Sequence, residues 1–307
     1  MTGADVSFGL LMGAVEPATV AEIEALPFGA LWVGGHVASS NPSPEALVQL
    51  ARLAALTTRV RIGTSVLLLP LYPPAIVAKQ VADLDRATGG RVTLGVGVGG
   101  EYPQEFEACG VPVEERGGRA DEAIALLRRL WSAQTVTHKG PYHAMADVRI
   151  HPAPVQVGGP PIVVAGRRAP AMHRAATLGD GWMPYLYSPE RYERSVVEIR
   201  GQADRAERDL AGFRWMAFVF VNVQDSASAA REDAGDFLGG SFRQDLGPLL
   251  DRVAAVGTAD DVARKLDAFV AAGAGHLILA PATRCDWSAQ AHCLASDVLP
   301  RVTSSAA

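Results

Sequence analysis

Lysine and cysteine are both scarce in this 307-residue chain, and each scarcity removes a class of chemistry. Only Lys79, Lys139 and Lys265 occur among the 28 basic residues. All three fall on predicted helices or in an irregular segment, so a Schiff-base aldolase lacks its amine. Cys109, Cys285 and Cys293 are odd in number and show no C-x-x-C spacing, which argues against a disulfide framework and a zinc site and leaves reduced thiols. Neither His-x-His nor His-Glu-x-x-His occurs, and no acidic trio stands at strand ends, so no metal is expected. Long apolar runs are missing too. Apolar runs such as Val66 to Leu69 are strand-length, and the first residues lack a basic segment followed by an apolar one. The expectation is a soluble, cytoplasmic protein with no membrane partner. Charged residues make up 20%, the net charge is -5, and no run of one sign stands out, so no nucleic-acid surface is expected. Small-molecule partners fit this balance, and a homodimer is left open.

What the chain does have is 49% hydrophobic residues, enough for a large core, and a length that suits one α/β barrel spanning 1–307. Short β-branched or apolar runs alternate with longer helical patterns, the rhythm of βα units around a parallel sheet. Eight strands are predicted: Val6–Met12, Ala30–Val33, Val60–Leu68, Val92–Val98, Pro161–Ala165, Gly181–Met183, Trp215–Val223 and His276–Leu279. Helices are predicted at about Pro17–Leu26, Pro44–Leu56, Pro74–Ala87, Glu114–Trp131, Ala169–Leu178, Pro189–Arg208, Ala259–Ala272 and Ser288–Leu299. Ser43-Pro44-Glu45 and Ser188-Pro189-Glu190 read as helix starts, a small polar cap followed by a proline whose missing N–H costs nothing. Eight such units give an α/β fold, a (β/α)8 TIM barrel. Two segments break the rhythm. Residues 133–160, rich in Gly-Pro and X-Pro pairs, form an insertion before strand five with room for a small hairpin; residues 224–258 form another after strand seven, with a helical piece from Ser226 to Leu238.

In such a barrel the residues just after each strand build the site. Here those ends carry glycine and small residues: Gly13, Gly34-Gly35, Gly99-Gly100 and Ala165-Gly166. Glycines there make tight turns, and they also let backbone approach a large planar or phosphorylated ligand that brings its own reactive atoms. Gly95 to Gly100 also matches G-x-G-x-x-G. It follows the fourth strand, however, and no acidic residue closes a following strand, which argues against a dinucleotide fold.

The ordered motifs Gly63-Thr64-Ser65-Val66-Leu67-Leu68-Leu69-Pro70, Tyr72-Pro73-Pro74 to Lys79-Gln80, Asp83-Leu84-Asp85 and Gly89-Gly90-Arg91 are joined by others. Those are Leu31-Trp32-Val33-Gly34, the glycine run before Glu105-Phe106, Pro161 to Gly166 leading to Gly179-Asp180-Gly181-Trp182, and Val256-Gly257-Thr258. Together they resemble the luciferase-like monooxygenases and their coenzyme F420-dependent relatives across most of the chain. The resemblance implies a barrel of the bacterial luciferase-like type and an oxidoreductase. It further implies that the third strand ends in a bulge, often with a cis peptide, at Ser65-Val66, supporting the middle of a tricyclic ring. On this likeness Ser65, Val66, Gly97, Gly99, Gly100, Ala165, Gly166, Arg167 and Arg168 are expected to hold the cofactor, the last two its phosphate at a helix start. An ordinary solvated arginine pair is the alternative there.

His36, after the second strand, is expected in the active site, where a histidine could hydrogen-bond the reacting centre or transfer a proton. Relatives often have an acid before it where this chain has Gly35, and a strand-capping role stays open. Glu101 matches a catalytic acid of some F420-dependent dehydrogenases, or is a helix-start carboxylate. Trp182, Tyr185, Tyr187 and Arg284 are expected to line the mouth. The function expected is hydride transfer between coenzyme F420, reduced or oxidised, and a small organic substrate. The alternatives are an FMN-dependent monooxygenase of the same fold and a catalytically idle cofactor-binding barrel.

Overall fold

Parallel strands joined by helices can bury both faces only if the sheet closes or is covered on each side, and here it closes. The computed structural model describes residues 6–302 apart from positions 14, 40, 41 and 243. Its strands are β1 (Ser7–Leu11), β2 (Ala30–Val33), β3 (Arg61–Thr64), β4 (Leu67–Leu68), β5 (Val92–Gly97), β6 (Val136–Lys139), β7 (Ala144–Val148), β8 (Ile162–Ala165), β9 (Gly181–Met183), β10 (Arg214–Val223), β11 (Ala254–Gly257) and β12 (His276–Pro281). Eight of these close in the order β1-β2-β3-β5-β8-β9-β10-β12 and back to β1, with parallel pairing throughout. The predicted third strand is interrupted: β3 pairs with β5 at Ile62–Val92, β4 pairs with it again at Leu67–Val96, and the chain bulges at Ser65-Val66 between them. The Ser65-Val66 peptide bond is cis.

The helices are α1 (Pro17–Glu24), α2 (Ala46–Leu56), α3 (Pro74–Ala87), α4 (Pro103–Ala108), α5 (Arg116–Trp131), α6 (Ala169–Leu178), α7 (Pro189–Arg205), α8 (Ala227–Phe242), α9 (Leu250–Val253), α10 (Ala259–Ala271) and α11 (Trp287–Cys293). Ser188 caps α7 by accepting from the Arg191 N–H at 3.3 Å. At α2 the cap is Glu45, which accepts from the Val48 N–H at 2.7 Å, so this helix starts two residues after the predicted Pro44. The longer acidic side chain does there what Ser43 was expected to do. Thr258 and Asp261 form a capping box at the start of α10. The glycine before it, Gly257, has φ 141°, and a Cβ there would lie 2.8 Å from Asp261 Cβ. Among the described residues no helix is long and apolar enough to cross a membrane.

The first insertion folds as the antiparallel hairpin β6–β7. The segment after it is tied to the barrel by buried Asp85, which accepts from the Val155 and Gln156 backbone N–H groups at 2.9 and 3.0 Å. The second insertion contributes α8, α9 and an unpredicted strand, β11, which pairs with the far end of β10. Ala254-Ala255-Val256-Gly257 has little β-propensity of its own; the overlong β10 supplies its partner.

Inside the barrel Trp32 packs with Val163, Met183, Met216 and Ile278. A Cβ at Gly9 would sit 2.4 Å from Trp32 Nε1, and one at Gly63 2.3 Å from Trp32 Cζ3, so two strand glycines make room for a single tryptophan. Its indole N–H donates to His276 Nε2 at 3.1 Å, and His276 Nδ1 lies 2.7 Å from Ser7 Oγ. Burial, with Arg214 and Arg61 adding to it, presses the His276 imidazolium down to about 3. The ring therefore stays neutral in the fold while its unfolded counterpart takes up a proton below about pH 6.5. Stability should fall as pH drops through that window, by at most about 1.4 kcal/mol per pH unit from this group. His276→Gln keeps an acceptor for Trp32 and should flatten the dependence, losing about 2 kcal/mol less than the parent between pH 6.5 and pH 5 in denaturant titrations. Parallel curves for parent and variant would show that His276 titrates alike in both states.

Candidate active site at the barrel mouth

The C-terminal ends of the strands meet above this tryptophan. Leu11, Val66, Ala165 and Phe218 pack partly exposed on the interior cluster of Trp32, Val163, Met183, Met216 and Ile278, forming an apolar floor. The bulge puts Val66 there, and the surrounding strands yield to it. A Cβ at Gly34 would approach Ser65 O to 3.0 Å, one at Gly95 Thr64 O to 2.0 Å, and one at Gly97 Val66 Cγ2 to 2.7 Å. Gly97 is thus buried beside Val66, where its missing side chain accommodates the bulge. Ser65 Oγ is buried with no hydrogen-bond partner among the described residues.

After β2 the chain passes over the bulge and delivers His36 at one wall. Its Nδ1 lies 3.3 Å from Oε2 of Glu105, a fully buried carboxylate that also accepts from the Val37 N–H at 3.2 Å. The ring meets Tyr102 edge-on at 5.0 Å. A carboxylate on Nδ1 selects the tautomer and leaves Nε2 as the nitrogen able to take or give a proton. The acid that relatives place before the histidine cannot sit at Gly35 in this chain. A Cβ there would lie 2.1 Å from Pro44 O, where the loop into α2 crosses. Glu105 reaches the same imidazole from the first turn of α4, which Pro103 opens. Sequence reasoning quoted Glu105-Phe106 as a motif and gave it no role; the missing acid at position 35 was the signal that another carboxylate was needed.

The opposite wall joins three expected residues, one of them, Tyr185, from the loop after β9. Tyr185 Oη donates to Glu101 Oε1 at 2.5 Å, and the Arg167 guanidinium lies 4.6 Å from the Tyr185 ring centre. Burial, then the Glu101 hydrogen bond and charge, pushes the Tyr185 hydroxyl up to about 12, so it remains a donor at neutral pH. Gly99 and Gly100, with φ 64° and 109°, turn the chain from β5 toward α4 and so project Glu101. Glu101, Arg167 and Tyr185 line a cavity of about 690 Å³ with Tyr102, Phe242 and Leu246, the last two from the second insertion.

Ala165 and Gly166 close β8 beside this wall, and Arg168 is the N-cap of α6 with no side-chain cap of its own. Arg167 lines the cavity; Arg168 is exposed and does not. Two expectations are corrected. Trp182 and Tyr187 do not line the mouth: both are buried in the core, where Trp182 stacks on Tyr192 and donates to Gly166 O at 3.0 Å. Strand alternation turns Trp182 outward toward the helices, and Tyr187 follows it by edge contact. Arg284 is exposed and paired with Asp236 of α8 at 2.7 Å, bracing the second insertion.

The luciferase-like monooxygenase family matches residues 15–276. An uncharacterised protein of Mycobacterium tuberculosis is 38% identical over 166 residues, 54% of this chain and 56% of that protein, so the match spans little more than half of either. An F420-dependent glucose-6-phosphate dehydrogenase of Amycolatopsis mediterranei is 28% identical over 83% of this chain and 84% of its own. Among solved structures, an F420-dependent secondary alcohol dehydrogenase in complex with an F420-acetone adduct has a TM-score of 0.82 at 23% identity, covering 97% and 99% of the two chains. The oxygenating constituent of 3,6-diketocamphane monooxygenase from Pseudomonas putida, in complex with FMN, has a TM-score of 0.78 at 18% identity, with 97% and 99% covered. These two likenesses concern the fold. With its barrel, its bulge after β3 and the family match over residues 15–276, the chain belongs to the luciferase-like monooxygenase family.

Proposed function

We propose that this chain is an F420-dependent oxidoreductase that moves a hydride to or from a small organic substrate at the barrel mouth. The observation that carries the reading is the His36–Glu105 pair at the same barrel mouth as an apolar floor to which the Ser65-Val66 bulge contributes Val66. A tricyclic ring suits that floor: its apolar surface, the orphaned Ser65 Oγ and the glycines that give way to the bulge form a shelf for a flat ligand. F420, when bound, supplies the carbon that gives or accepts the hydride. The chain's own residues do the rest. Val66, Ala165 and Gly166 would hold the ring, and Gly97, Gly99 and Gly100 shape the bulge and the turn beside it. Arg167, Arg168 and the start of α6 would receive the phosphate. His36, oriented by Glu105, would hold or deliver a proton at Nε2 to the substrate oxygen, and Glu101, hydrogen-bonded by Tyr185, is the second proton-handling group.

An F420-using relative aligned over most of both chains supports this cofactor. The FMN complex of the 3,6-diketocamphane monooxygenase constituent keeps the FMN-dependent monooxygenase as the second reading. An idle barrel loses its motive, because that reading rested on the missing acid at position 35, and Glu105 supplies a carboxylate to His36. Replacing both Arg167 and Arg168 with Ala should weaken F420 binding roughly tenfold or more and flatten its dependence on salt, measured by fluorescence titration. Unchanged affinity and unchanged salt slope would remove the arginines from the site.

A further inference from the structure

The opposite, N-terminal mouth of the barrel carries an unusual charge arrangement. Strand alternation faces Arg61 inward, because Gly63 two residues on lies against Trp32. Arg214 faces inward by the same argument, since Met216 belongs to the interior cluster. Neither guanidinium has a carboxylate partner among the described residues. Arg61 Nη2 makes only long approaches of 3.4–3.5 Å to Val92 O, Thr93 Oγ1 and Gln156 Oε1, and its Nε is buried without a hydrogen-bond partner. Among the described residues Arg214 shows no side-chain hydrogen bond or ion pair, and Asp180 is the acid whose charge it feels. The two nearest acids are committed elsewhere. Asp85 accepts from Val155 N, Gln156 N and Gln156 Nε2, and Asp180 from Ile162 N while it pairs with Arg128 and Arg208. Between the arginines stands His276, neutral and bonded to Trp32 and Ser7. Burial lowers both guanidinium pKa values; Arg214 lowers that of Arg61 further while Asp85 partly offsets it, and Asp180 partly offsets the lowering at Arg214, so the two cations repel each other beside acids that are already engaged.

We propose that this mouth binds a small doubly charged oxyanion, of the inorganic phosphate or sulfate class, between Arg61 and Arg214. Two planar forks with unfilled donors, half-buried where water competes weakly, suit the several acceptor oxygens of such an anion. It would also cancel the repulsion between them. The site lies at the far end of the barrel from His36 and does not depend on the function proposed above.

Because phosphate would also meet Arg167 and Arg168, the test uses the chain carrying Ala at both positions. Thermal unfolding is followed while sodium phosphate replaces sodium chloride at constant ionic strength. The melting temperature should rise saturably, on the order of 3 °C once phosphate is tenfold above its dissociation constant. Further substitution Arg61→Met or Arg214→Met should abolish the rise. An equal rise in either variant, or no more effect from phosphate and sulfate than from chloride, would overturn the proposal. Should a variant fail to fold, the indole N–H resonance of Trp32, bonded to His276, reads the site in the parent. It should move saturably with phosphate, and a resonance that stays still would overturn the proposal equally.

Discussion

His36→Ala is expected to slow turnover by roughly 10²-fold or more while leaving the fold nearly as stable. The imidazole is about a quarter exposed, and its contacts are Glu105 on Nδ1 and the edge of Tyr102. Little core packing is therefore lost with the ring. What is lost is the imidazole that the proposed reaction uses for proton transfer, oriented by a buried carboxylate. F420 affinity should change far less than turnover, because no ring-holding residue is touched. Single-turnover rates of F420 reduction, set beside a thermal melt, separate this from a strand-capping role. A cap would lower the melting temperature and leave the rate per folded molecule unchanged.

Replacing Glu105 should be costlier than its place on a six-residue helix suggests, because the side chain serves two purposes. It orients His36, and it satisfies the Val37 N–H. Glu105→Gln keeps an acceptor for that N–H, so it should fold normally yet slow turnover by at least roughly tenfold, since a neutral amide stabilises an imidazolium poorly. Glu105→Ala should lose about 1 kcal/mol of stability in addition, the ordinary worth of one hydrogen bond, because Val37 is 45% exposed and water can replace the lost acceptor. If the two residues act as a unit, the double variant His36→Ala/Glu105→Gln will turn over about as slowly as His36→Ala alone. Losses that multiply would show that Glu105 acts on the reaction without His36.

The barrel was legible because its signals are local. Most barrel strands are short apolar runs, most helices begin near a proline or a capping side chain, and the Ser65-Val66 bulge lies inside the Gly63 to Pro70 motif that carries the family resemblance. β11 was not legible, since an alanine-rich tetrad becomes a strand only when the long β10 offers it an edge. The candidate site was half legible. His36 and Glu101 stand three and four residues after β2 and β5, and position together with the family resemblance pointed to them. Glu105 reaches His36 across 69 residues of sequence, and the reason it must, the loop packed against Gly35, exists only in three dimensions. Trp182 and Tyr187 misled for the opposite reason. Trp182 lies within β9, where alternation sends it to the helix side, and Tyr187 beyond the strand end packs against it, so only Tyr185 of the three reaches the cavity.

The most direct measurement is a parallel titration of the cofactor-free chain with F420 and with FMN under identical conditions, followed by ligand fluorescence. F420 should bind saturably at one site per chain and at least roughly tenfold more tightly than FMN, a margin of about 1.4 kcal/mol. FMN binding more tightly, with oxygen consumed when the bound flavin is reduced, would contradict the account and make the chain a flavin monooxygenase.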